Sequence, residues 1–169
     1  TFVIGENGLD LAKKIDIPFP IIKVGNWIGP LLVHAATQKI KKILLLGYYG
    51  KLIKLAGGVF HTHNHLADAR IEILVYLAVK QKIPLKIINS FINSQTIDQA
   101  MKIIECFNNE VATKLIFEIS NHVEMRSTEY IQKYISSEMK IGVAMFDRER
   151  KIRAISQNSQ KMFSQIFTL

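Results

Sequence analysis

Cysteine is almost missing from this chain. Cys106 is the only one, which excludes an internal disulfide and fits a reducing compartment, so a cytoplasmic setting is expected. Long apolar runs are missing too. None approaches the ~18 residues that would suggest a membrane span, and no membrane partner is expected. No secretory leader opens the sequence, and no low-complexity basic tail interrupts it. Tryptophan occurs once. No aromatic set is interleaved with the lysines as a single-strand binder requires, so nucleic acid is not an expected partner. Proline occurs four times, at positions that punctuate the pattern without forming a linker. The chain therefore reads as a single α/β domain over residues 1–169. It begins Thr1-Phe2-Val3-Ile4, without methionine and as if inside a strand, so it reads as the C-terminal part of a longer protein.

What is present is a globular composition with a basic excess. Hydrophobic residues make up 49% and charged residues 21%, and the formal net charge is +8. That charge admits a polyanionic small molecule as a ligand. Lys39, Lys41, Lys42, Lys80, Lys82 and Lys86 are scattered, as solvated helix ends are.

One pattern repeats. Phe2-Val3-Ile4 is followed by Gly5-Glu6-Asn7-Gly8 and a helix over about 9–14. Ile21-Ile22-Lys23-Val24 is followed by Gly25-Asn26 and a helix through Ala35 and Ala36. Ile43-Leu44-Leu45-Leu46 is followed by Gly47. Apolar strand, glycine and helix in succession predict a parallel sheet with helices on its faces, Rossmann-like βα repeats with right-handed crossovers. The three glycine loops would then lie along the C-terminal edge of the sheet, where open α/β sheets bind ligands. Further on, apolar spacing predicts a helix over 66–80, with Asp68 and Glu72 on one face. Helices are also expected over 96–107, capped by Thr96 or Ser94, and over most of 110–135. Alternation around Asp147-Arg148-Glu149-Arg150 predicts a β-hairpin over 139–156. Residues 81–93 and the last thirteen residues give no clear signal.

The chemistry concentrates between Leu44 and Glu72. This stretch holds four of the nine glycines and three of the five histidines. Gly47-x-x-Gly50-Lys51 resembles a phosphate-binding loop, but the glycine span is short and Leu52 stands where Ser or Thr is needed. Gly5-Glu6-Asn7-Gly8 is too short for a dinucleotide fingerprint. His61-Thr62-His63-Asn64-His65 with Asp68 offers imidazole and carboxylate ligands, and on a strand the three histidines would share a face. It is similar to the signature of metallo-β-lactamase-like hydrolases, with Asn64 at the position of an aspartate ligand. The alternatives are a polar loop ahead of the next helix, a metal-dependent hydrolase built on His61, His63, His65 and Asp68, or a non-catalytic basic binding module, for nucleic acid or, as the family resemblance of this stretch implies, for a corrinoid.

The whole stretch GYYGKLIKLAGGVFHTHNHLADARIEIL resembles the signature of the CbiD-type cobalt-precorrin-5B C(1)-methyltransferases. Matching positions include Gly47, Gly50, Lys51, Leu52, Lys54, Leu55, Ala56, Gly58, Thr62, His63, Ala67, Asp68, Arg70 and Glu72. Upstream, GENGLDLAKK and GNWIGPLL resemble the family's glycine-asparagine motifs, and GVAMFDRERKI is similar to its C-terminal end. Tyr48 stands where the family has histidine, His61 where it has asparagine, Asn64 where it has serine and Glu6 where it has asparagine.

The resemblance implies methyl transfer from S-adenosyl-L-methionine to a ring carbon of a cobalt-precorrin in anaerobic cobalamin biosynthesis. Such a substrate is a macrocycle edged with carboxylates. Lys51, Lys54, Thr62 and Arg70 are then the expected substrate-binding residues. His63 and Asp68 are the expected catalytic pair. Gly5, Asn7, Gly8, Gly25, Asn26, Gly47 and Gly50 are the expected donor-binding positions, where backbone amides at helix N-termini receive a carboxylate. No metal ligand set is expected. The oligomeric state is left open.

Overall fold

The computed structural model describes residues 1–167. β1 (Phe2–Ile4) runs directly into α1 (Gly5–Lys14). β2 (Ile22–Val24) leads to α2 (Ile28–Thr37), and β3 (Lys42–Tyr48) to α3 (Tyr49–Ala56). Four helices follow: α4 (Arg70–Lys80), α5 (Leu85–Phe91), α6 (Ile97–Phe107) and α7 (Asn109–Gln132). β4 (Lys140–Phe146), β5 (Ile152–Ile155) and α8 (Gln157–Met162) complete the described chain.

The strands form one mixed sheet in the order β2-β1-β3-β4-β5. β1 pairs parallel with both β2 and β3, β3 pairs parallel with β4, and β5 returns antiparallel to β4. The three repeated strands are thus parallel neighbours, and the expected hairpin is joined to the same sheet.

Both faces of the central strands β1, β3 and β4 are covered, which is why these strands are almost wholly apolar, whereas the edge strands β2 and β5 carry Lys23 and Arg153. Side chains alternate across the pleat. Ile43 and Leu45 enter a core shared with α2 to α7, while Leu44 and Leu46 enter a second core with α1 and Phe163. Ile141, Val143 and Met145 divide from Ala144 and Phe146 in the same way. The long helix α7 is fixed at its start by Asn108, whose Oδ1 accepts from the amides of Glu110 (2.8 Å) and Val111 (3.2 Å), a cap worth about 1 kcal/mol. Thr96 caps α6 in the same manner.

Several expected boundaries move. Gly5 to Gly8 are the first turn of α1 instead of a loop, because Gly5 at φ +75° makes the strand-to-helix reversal in one residue. Gly47 lies within β3, and the turn falls at Tyr48. A Cβ on Gly47 would come 2.9 Å from Ile4 Cδ1, so glycine there lets β1 and α3 close on each other. The helix expected from Leu66 begins at Arg70. The Ala67 carbonyl is held by Lys54 Nζ at 2.8 Å, and Asp68 turns to meet Arg70, so residues 66–69 take no helical form. Asp68 and Glu72 therefore share no helix face. Residues 61–65 form no strand either; His61 makes a single bridge to Trp27. The uncertain 81–93 stretch contains α5, entered from Pro84.

α1 sits close on the sheet because residue 8 is glycine. A Cβ there would lie 3.2 Å from the Leu46 carbonyl oxygen, strand backbone that has little freedom to give way. Gly8→Val in the full-length protein should lower unfolding free energy by about 1–3 kcal/mol, read as a shifted urea midpoint; an unchanged midpoint would show that α1 is free to move outward.

Candidate functional site

Parallel pairing brings three strand ends to one edge. Ile4 is level with Val24 on one side and with Gly47 on the other, so the turns at Gly5, Gly25 and Tyr48 leave the sheet side by side. From β1 the chain steps outward to β2 and then returns to β3 on the opposite flank. Such a reversal of strand order opens a crevice at the C-terminal edge.

Lys51 stands at that edge. It is exposed, and its Nζ lies 3.4 Å from where a Cβ on Gly5 would be. An ammonium is thereby set over the N-terminus of α1, with Asn7 on the first turn. Gly50, beside it, is buried, and a Cβ there would strike the Tyr48 ring.

The next turn carries the histidine loop. Gly25 opens to free space, with nothing within 4 Å of a Cβ position. The Asn26 carbonyl accepts from the Thr62 amide at 3.0 Å, and Asn26 Oδ1 from the Thr62 hydroxyl at 3.1 Å. Trp27 meets His61 edge to face at 4.2 Å. These contacts lay residues 60–62 along the β2–α2 turn.

Lys54 holds the same loop from below. It is 1% exposed, and its Nζ donates to the Thr62 carbonyl (3.1 Å), Asn64 Oδ1 (2.7 Å) and the Ala67 carbonyl (2.8 Å). All three ammonium hydrogens are therefore engaged within the protein. Burial lowers its pKa from the usual lysine value, and the charge of Asp68 works in the opposite direction. Lys51 and Lys54 thus differ: one ammonium faces the edge, and the other organises the loop beneath it.

His63 is exposed and stacks on His65, with ring centroids 4.9 Å apart. Its Nδ1 lies 3.3 Å from the His65 amide. Thr62 is buried, so Thr62 and His63 face different surroundings. His61 packs on Trp27 instead of joining the other two histidines. Among the described residues no group of three His, Cys, Asp or Glu side chains comes together as a metal site. The hydrolase alternative therefore lacks the convergence it requires.

Asp68 and Arg70 form a forked pair, Nε to Oδ1 at 2.5 Å and Nη2 to Oδ2 at 2.6 Å. The hydrogen bonds from Arg70 hold the Asp68 carboxyl below its ordinary value. Both residues line a cavity of about 600 Å³ with Ile71, Glu72, Asn93, Ser94 and Gln95. A second, apolar groove of about 700 Å³ lies at the other end of the strands, lined by Phe2, Phe19, Leu31, Ile43 and Phe163 among others, and holds none of the expected site residues.

One cluster escaped the sequence reading. Asp98, in the first turn of α6, accepts from both Tyr48 and Tyr49 hydroxyls, the latter at 2.9 Å, and pairs with Arg148 Nε at 2.9 Å. Burial and the Asp98 carboxylate push the Tyr48 phenol up to about 12, so it stays protonated and donates at neutral pH. Burial raises Tyr49 further. An acidic residue in the first turn of a predicted helix was visible in the sequence, but its partners lie 49 and 50 residues away.

Residues 61–157, more than half of the chain, match the family model described as "CbiD, C-terminal domain". The chain is 61% identical over 163 residues to a protein of Prochlorococcus marinus subsp. pastoris (strain MED4) named cobalt-precorrin-5B C(1)-methyltransferase, covering 96% of this chain and 44% of that protein. Relatives of the same name are 56% identical in P. marinus strain MIT 9515 (96% and 44% covered) and 46% identical in strain MIT 9303 (96% and 42%). The chain thus spans less than half the length of the curated relatives it matches. No solved structure matches it.

Two outcomes test this geometry. Lys54→Met should free the Thr62 and Ala67 carbonyls and speed amide exchange at Thr62 and Leu66 by about tenfold or more, since a hydrogen bond to a charged group is worth about 1.5–3 kcal/mol; unchanged exchange would remove Lys54 from this structural role. The Asp68–Arg70 pair should show a defined pH dependence. The folded carboxyl titrates below the unfolded one, so its stabilisation is complete above the ordinary value and fades as pH falls through the lowered one. The gap in unfolding free energy between wild type and Asp68→Asn should hold near neutrality and close in acid; a gap that persists in acid would mean that the carboxylate charge is not its source.

Proposed function

This chain belongs to the CbiD family, and from that membership we propose that it forms part of an S-adenosyl-L-methionine-dependent methyltransferase acting on a ring carbon of a cobalt-precorrin in cobalamin biosynthesis. The observation that carries the reading is the junction of Lys51 with Gly5 at the reversal of strand order, on an edge that gathers the glycine turns. A Rossmann-like use of the sheet follows, with ligands across the crevice outside the strand ends. A cytoplasmic setting suits the single exposed thiol of Cys106.

The residues at the edge fit both ligands. The first turn of α1, with Gly5, Asn7 and Gly8, offers backbone amides to a carboxylate, and the open space above Gly25 beside Asn26 admits a bulky group. Gly47 and Gly50, packed under Ile4 and Tyr48, contribute by letting this edge close up. S-adenosyl-L-methionine supplies a methyl group already activated by its sulfonium. The protein then has to align the acceptor carbon with that methyl, which is catalysis by proximity and orientation. Lys51 and Arg70 bind carboxylates of the ring by charge-assisted hydrogen bonds. Asp68 keeps the Arg70 fork in one orientation. Lys54 and Thr62 serve the substrate indirectly, by fixing the loop that carries His63. His63, exposed on that loop, offers its ring nitrogens as donor or acceptor to the substrate.

Calorimetric titration of the full-length protein with S-adenosylhomocysteine and with a cobalt corrinoid tests the assignment. Lys51→Ala should weaken corrinoid binding about tenfold and donor binding by much less. Equal losses for both ligands, or lost stability alone, would make Lys51 structural, and no binding of either ligand by wild type would overturn the proposed activity.

A further inference from the structure

We propose that Arg148 is a further carboxylate-binding residue of this edge, held in position by Asp98. The inference rests on the corrinoid reading above and adds a contact that family membership does not assign.

Arg148 lies at the tip of the β4–β5 hairpin, far in sequence from the glycine turns. The hairpin tip is braced by its own polar contacts. Asp147, 8% exposed, accepts from the amides of Glu149 and Lys151, each at 3.0 Å, and from Arg153 at 3.3 Å. Arg150 reaches back to Asp10 on α1 at 2.8 Å. The tip is thereby tied across the end of the sheet to α1, while Arg148 extends toward α6.

There Arg148 meets a carboxylate built to hold it. Asp98 is fixed by the Tyr48 and Tyr49 hydroxyls and is 17% exposed, whereas the Arg148 side chain is 67% exposed. Asp98 is the one carboxylate paired with Arg148 among the described residues. A guanidinium has five N–H donors in a planar fork, more than one shared carboxylate can take up, so donors remain directed to solvent. Arg70 presents the same arrangement, a guanidinium held by its own aspartate. Arg70 lines a cavity together with Ile97, the residue before Asp98 at the start of α6. Two forks, each oriented in advance by a carboxylate, suit a rigid ligand with two or more carboxylates spaced along its rim. Forked recognition of that kind is what distinguishes arginine from lysine.

The test uses full-length protein and two cobalt corrinoids of one ring shape: cobyrinic acid, with free carboxylates, and its heptamethyl ester, with none. Arg148→Gln should weaken cobyrinic acid binding about tenfold, and the deficit should shrink as salt rises. Binding of the ester and of S-adenosylhomocysteine should stay as in wild type. Arg148→Lys should recover only part of the loss. Asp98→Asn, which removes the charge that positions the fork, should weaken the acid and leave the ester unchanged. Equal losses for acid and ester, or no loss for either, would overturn the proposal while leaving the methyltransferase reading in place. Failure of wild type to bind either corrinoid would overturn that reading and this one with it.

Discussion

Everything at the candidate site depends on the parallel pairing of β1 with its two neighbours. Parallel strands require a crossover between each pair, and each crossover returns the chain to the same end of the sheet. Three turns of unrelated sequence therefore open at one edge, level with one another by register. The pairing is held by burial on both faces, with Val3, Leu44, Leu45 and Leu46 fully enclosed. Burying one such side chain is worth about 1.5–3 kcal/mol, so the edge is part of the core and not an appendage to it.

The second layer of organisation is polar. A buried ammonium is costly unless its hydrogens are satisfied, and Lys54 satisfies all three on the loop that follows α3. That requirement captures the Ala67 carbonyl, delays α4 until Arg70 and leaves the histidines on a loop. Asp98 plays the corresponding part on the other flank, with two tyrosine hydroxyls and an arginine on one carboxylate. Between these two centres the cations Lys51, Arg70 and Arg148 each stand in a distinct setting: over a glycine turn, in an aspartate fork and on a braced hairpin.

Much of the fold was legible because short-range rules govern it. Apolar triplets followed by Gly5, Gly25 and Gly47 announced the parallel repeats, Thr96 announced a cap, and alternation around Asp147 to Arg150 announced the hairpin. The reading failed where a distant partner overrides local pattern. Leu66, Ala69 and Ile73 have helical spacing, yet Lys54 draws the backbone away before Arg70. His61, His63 and His65 have strand spacing, yet Trp27 and Asn26 hold the loop otherwise. The division of labour between Lys51 and Lys54 depends on burial, which spacing three residues apart does not reveal. Asp98 was visible only as a helix-start acid, since its partners come from β3, α3 and the hairpin.

The central claim is that the C-terminal edge of the sheet, and not the apolar groove at the other end, receives the ligands. A crystal structure of the full-length protein with S-adenosylhomocysteine bound tests it most directly. The account predicts the ligand between the Gly5 and Gly25 turns, within reach of Lys51. A ligand seated instead against Phe19, Leu31 and Ile43 would contradict it.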